Sequence, residues 1–124
     1  MKSHTQVAVI GGGVVGCSVL YHLTKLGCKD VILLERSELT SGSTWHAAGG
    51  MHTINGDPNV AKLQQYTIEL YQEIEEISGQ DIGLHMSGGI MLAATQERFD
   101  WLKSMHSKGA YLGMDTEIIS AREA

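Results

Sequence analysis

The 124-residue chain has two cysteines, one proline and one phenylalanine, and its nine lysines and arginines are scattered without a basic run. Cys17 and Cys28 form neither a C-x-x-C pair nor part of a metal quartet, and read as reduced thiols. The histidines, at positions 4, 22, 46, 52, 85 and 106, lack ligand spacing such as H-x-x-x-H, so no metal is expected. A formal net charge of -5 gives no support to nucleic-acid binding. No apolar run approaches membrane-spanning length, so no membrane partner is expected. There is no G-x-S-x-G elbow, no P-loop and no internal repeat. Met1 to Gln6 is too short for a leader, and this start implies a cytoplasmic location.

What is present is concentrated in residues 7–46. An apolar run, Val7 to Ile10, leads into Gly11, Gly12 and Gly13, with Gly16 after two valines, which gives G-x-G-x-x-G. A helical pattern follows from about Val14 to Leu26, and a second apolar run, Val31 to Leu34, ends in Glu35. In a β-α-β unit each residue type has a physical role. Gly11 makes the tight turn, bare Gly13 lets a pyrophosphate approach the backbone, and Gly16 lets the helix pack closely. The helix N-terminus faces the phosphates. Glu35, 19 positions after Gly16, can accept ribose hydroxyls and would repel a 2′-phosphate, which disfavours NADP. A glycine-rich turn can also merely redirect the chain, but strand, helix, second strand and terminal acid all stand in register here.

Val15, Val19, Leu23 and Leu26 form a stripe expected to cover the sheet, and Gly27 a C-cap. Residues 36–56 are small and polar around Trp45 and His46, a composition that suits either a flexible loop or a backbone laid against something large and flat. Asp57-Pro58 reads as the start of a helix with the stripe Val60, Leu63, Thr67, Leu70, Tyr71, Ile74 and Ile77. Residues 83–94 read as one or two strands. Thr95 caps a helix from Gln96 to about Lys108, with Phe99, Leu102 and Met105 on its apolar face and Gly109 closing it. Thr116 to Ile119 reads as a strand, and Ser120 with Glu123 as a capping box.

The stretches VIGGGVVGCSVLYHL (9–23), LLERSELTSGSTWHAAG (33–49) and GGIMLAAT (88–95) resemble the dimethylglycine and sarcosine dehydrogenase group of flavin amine oxidoreductases. The likeness extends over the whole chain, with two departures: Gly50 where the group has a bulky apolar residue, and Leu20 where related fingerprints have Ala. The resemblance implies FAD, joined covalently to His46 through the flavin 8α-methyl; a neutral imidazole nitrogen is a suitable nucleophile. It places Gly11, Gly13, Val14, Val15, Gly16, Glu35 and Arg36 at the cofactor, followed by Gly42, Ser43, Thr44, Trp45, His46, Ala47, Ala48, Gly49 and Gly50. The implied activity is oxidation of an N-methyl amine such as dimethylglycine or sarcosine. An electron-transfer flavoprotein is a further implied partner, and tetrahydrofolate would bind in a region beyond these residues.

The expected fold is α/β: an incomplete, Rossmann-like FAD-binding domain, the β-α-β start of a doubly wound parallel sheet, with the beginning of a second α+β region. Residues 1–56 are expected to start the FAD-binding domain and carry the attachment loop, and residues 57–124 to continue it in truncated form. Two other readings stay open: an amino-acid oxidase type of flavoenzyme with non-covalent FAD, and a non-catalytic regulatory relative of the same fold.

Overall fold

The computed structural model describes residues 3–124. The chain divides into two compact units, the first ending at Gly49 and the second running from Gly50 to Ala124.

In the first unit Val7–Ile10 forms strand β1, Val14–Lys25 helix α1 and Val31–Leu34 strand β2. Both strands are short aliphatic runs, suited to a pleated surface that a helix covers. They pair in parallel, Val7 opposite Val31 through Ile10 opposite Leu34. Parallel neighbours need a crossover, and α1 supplies it. Asp30 fastens the entry to β1: its carbonyl accepts from Thr5 Oγ1 at 2.9 Å and its Oδ2 from Gln6 N at 3.0 Å. The ladder runs one residue past β1, where Gly11 N donates to Leu34 O at 2.8 Å. This is the opening of a doubly wound parallel sheet, as the sequence predicts.

Helix α1 ends in a Schellman turn, with Gly27 N bonded to Thr24 O and Cys28 N to Leu23 O. Its covered face shares only Leu23 with the stripe read from the sequence. Val15, Val19 and Leu26 are exposed, whereas Gly16, Cys17, Leu20 and Leu23 are half-buried. The rotation of the helix is set by Gly16: a Cβ there would run into the Gly11 carbonyl and stand 3.6 Å from Val9 Cγ1. The helix therefore presents its Gly16 side to the sheet, and neighbouring Val15 turns away.

The second unit begins its regular structure with helix α2, Pro58–Ser78. Asp57 caps it, with Oδ1 accepting from Asn59 N at 2.8 Å and Val60 N at 3.1 Å. Pro58 sits at the first position, where a missing N–H costs nothing. The covered side centres on buried Ala61 and Leu70, while Leu63 and Ile77 of the expected stripe are exposed. Helix α3, Gln96–Tyr111, starts with Thr95 Oγ1 accepting from Arg98 N at 3.2 Å. Phe99 and Leu102 are half-buried and Met105 buried, the expected face. Gly109 does not close α3 but lies buried inside it. Its bare Cα admits a close neighbour, since an added Cβ would stand 3.2 Å from Thr116 Oγ1. That hydroxyl also shares a 2.8 Å hydrogen bond with His106 Nδ1.

The strands expected in residues 83–94 and 116–119 do not form; among the described residues β1 and β2 are the only strands. A strand exists through the ladder it makes with a neighbour, and neither segment has one. Gly83 and Gly88, at φ 68° and 73°, also interrupt the first of them. Near the end, Ser120 N and Oγ donate to Glu123 Oε2 at 2.8 and 2.7 Å, half of the expected capping box, but on a turn rather than a helix.

Candidate cofactor site

The site is built where β1 runs out. Gly11 leaves the strand at φ 103°, a value that disfavours any side chain, and the space where its Cβ would point is open to 4 Å. Gly12 is buried and heavily bonded: its N–H donates to Glu35 Oε2 at 2.6 Å, and its carbonyl accepts from Thr40 N at 2.9 Å and Cys17 Sγ at 3.5 Å. Sequence reasoning leaves Gly12 out, because it fills an unassigned position of the motif. Gly13 is the N-cap of α1 and has no side chain to satisfy the first N–H groups. Thr44, 30 residues further on, does so, its Oγ1 accepting from Val14 N at 3.0 Å. The same oxygen stands 3.0 Å from the place of a Cβ at Gly13.

Glu35 follows β2 directly, half-buried, on the same edge as the glycine turn. One carboxylate oxygen takes the Gly12 N–H and the other the Ser37 N–H at 2.9 Å. These two backbone bonds, Gly12's first, hold the Glu35 carboxyl below its ordinary value; burial opposes them, and Arg36 adds a smaller lowering. An ionised carboxylate has more lone pairs than the two used here. It can therefore accept ribose hydroxyls as well.

The segment after β2 is folded back onto the turn. Thr40 has φ 65° and bonds Gly12; Trp45 N donates to Thr40 O at 3.0 Å and to Gly42 O at 3.2 Å. Ser43–His46 forms a single 3₁₀ turn. His46 Nδ1 lies 3.0 Å from Gly42 O. A carbonyl can only accept, so this bond puts the proton on Nδ1 and leaves the lone pair of the neutral ring on Nε2. His46 is exposed, as is Trp45. Of the other sequence-derived residues, Val14, Val15, Arg36, Gly42, Ser43, Ala48 and Gly49 are exposed. Ala47 N donates to Thr44 O at 3.2 Å, and Gly50 falls in the second unit. Thr40, like Gly12, is a contributor the sequence does not announce.

These features fit the nucleotide half of FAD. The backbone is bare at Gly11, the start of α1 lies behind it, and an ionised acid stands across the turn. Residues 6–124 match the family DAO, FAD dependent oxidoreductase. The chain is 49% identical over 102 residues to mitochondrial dimethylglycine dehydrogenase of Rattus norvegicus, covering 82% of this chain and 12% of that protein. It is 39% identical over 124 residues to mitochondrial sarcosine dehydrogenase of Homo sapiens (99% and 14% covered). It is also 37% identical over 123 residues to the mitochondrial pyruvate dehydrogenase phosphatase regulatory subunit of Mus musculus (99% and 14%). The crystal structure of L-proline dehydrogenase from P. horikoshii matches with TM-score 0.88 at 24% identity, over 99% of this chain and 32% of that one, and shows the shared fold. The chain thus spans a small part of the length of these relatives.

The cytoplasmic location expected from the short segment ahead of β1 does not stand. The rat and human relatives are mitochondrial proteins, so that segment is no guide to the compartment. What the glycine turn, Glu35 and the parallel strand pair suggest, the match over residues 6–124 settles: this chain belongs to the DAO family of FAD dependent oxidoreductases.

Proposed function

We propose that the protein carrying this chain oxidises an N-methyl amine of the dimethylglycine or sarcosine kind, with its FAD joined covalently to His46. The observation that supports this best is the bond from Val14 N to Thr44 Oγ1, which ties the Thr44-Trp45-His46 motif to the glycine turn. In this reading Gly11 leaves room for the pyrophosphate, Gly13 lets Thr44 close on the turn, and the start of α1 at Val14 and Val15 faces the phosphates with a positive dipole end. Glu35 accepts the ribose hydroxyls, beside Arg36. Gly42 orients His46 by accepting its Nδ1 proton, so that Nε2 is the atom available for the link. The small residues Ser43 and Ala47 to Gly50 let this backbone lie flat along the cofactor. Residues 1–56 then open the FAD-binding domain, and residues 57–124 continue it.

FAD held by these residues would supply a hydride acceptor for the N-methyl carbon, with formaldehyde and the demethylated amine as the products after water adds. An electron-transfer flavoprotein as acceptor and tetrahydrofolate as a second ligand belong to the same reading, outside these residues. The likeness to a regulatory subunit favours a second reading, in which the fold is kept without oxidation. Anaerobic addition of dimethylglycine or sarcosine to the flavin-loaded protein separates the two. Bleaching of the oxidised flavin absorbance, with formaldehyde on turnover, is expected. Flavin that stays oxidised with both amines, and with other N-methyl amines, decides for the regulatory reading.

A further inference from the structure

Thr40 is the one non-glycine among the described residues with a positive φ, at 65°. A left-handed backbone is costly for a β-branched residue and persists where the surroundings over-determine it. Here two backbone bonds do so. Thr40 N donates to Gly12 O at 2.9 Å, in the glycine turn, and Thr40 O accepts from Trp45 N at 3.0 Å, in the turn that carries His46. On one side Leu39 leans over Gly12, with Cδ2 2.5 Å from where a Cβ would stand. On the other, Ser41 is tied back to Glu38 O through its N at 3.3 Å and its Oγ at 2.8 Å. Residue 40 is thus the single link whose two peptide groups reach both halves of the cofactor site.

We propose that Thr40 is a positioning residue: its left-handed backbone, rather than its hydroxyl, sets the span between the glycine turn and the Trp45-His46 turn, and so places that loop for FAD. This rests on the cofactor reading above. It separates substitutions by backbone preference. Glycine and asparagine accept φ near 65°, whereas proline fixes φ near −65° and removes the N–H that Gly12 O accepts.

The test is FAD titration into purified His46→Ala protein, which cannot trap the cofactor covalently, produced under flavin starvation and used as the parent, with far-ultraviolet circular dichroism as a check on folding. Thr40→Gly and Thr40→Asn should bind FAD within about twofold of the parent. Thr40→Pro should bind roughly tenfold more weakly or worse, the scale of a lost hydrogen bond with its acceptor left unpaired. Parent-like affinity in a folded Thr40→Pro, or a tenfold loss in Thr40→Gly, overturns the proposal. Should the proline variant not fold, the glycine variant decides alone: tight binding supports the backbone role, and weakened binding assigns the effect to the side chain. An unmutated protein that loses its flavin in acid refutes the covalent reading but leaves these affinities readable, so the two failures are distinct.

Discussion

Among single residues, Glu35 is the one on which the proposed FAD site depends most. Its carboxyl is held below its ordinary value by the Gly12 and Ser37 N–H groups, so its contribution to folding stability is complete above about pH 4.3, the unfolded value. The contribution is lost only as pH falls through the lower native value. A ¹³C titration of the side-chain carboxyl should give a midpoint below that of a free glutamate, and Glu35→Gln should remove the corresponding acid limb from the pH dependence of stability. A midpoint at or above the ordinary value contradicts the geometry. Glu35 and Gly16 are legible in the sequence because the residue type itself carries the role, an acceptor at a strand end in one case and a missing Cβ at a close approach in the other. Gly12 and Thr40 are not legible. What selects them is a set of tertiary hydrogen bonds, to Glu35, Trp45 and each other, and no local pattern records those.

The helices show the same division. Asp57-Pro58, Gly27 and Thr95 mark helix ends that the structure places where the sequence does, because caps are satisfied by residues next to them in the chain. The rotation of α1 and the fate of residues 83–94 and 116–119 depend on partners far along the chain, and there the reading fails. Gly109 is the sharpest case: a glycine expected to stop α3 instead sits within it, against Thr116. The cap of α2 gives a prediction at this scale. Asp57→Ala removes the acceptor of the Asn59 and Val60 N–H groups and should destabilise α2 by about 1 kcal/mol. A urea melt followed by hydrogen exchange in α2 measures it, and an unchanged stability contradicts the cap's role.

For the whole molecule, the parallel pair β1–β2 across α1 is the most legible feature, since a strand, a glycine turn, a helix and a second strand follow one another within 28 residues, Val7 to Leu34. Beyond it, the described residues bury few apolar side chains, Val9, Ala61, Leu70 and Met105, and leave Ile10, Leu26 and Trp45 more than three-quarters exposed. The match over residues 6–124 fixes the family, while the proposed chemistry rests on His46. Acid precipitation of the flavin-loaded protein tests that most directly. The pellet should be yellow, a tryptic peptide spanning Ser37 to Lys62 should carry the added mass of FAD, and a His46→Ala variant should bind some flavin yet release all of it in acid. A colourless pellet from the unmutated protein, with that peptide at its plain mass, contradicts the account and leaves a flavoenzyme that holds FAD without a covalent bond.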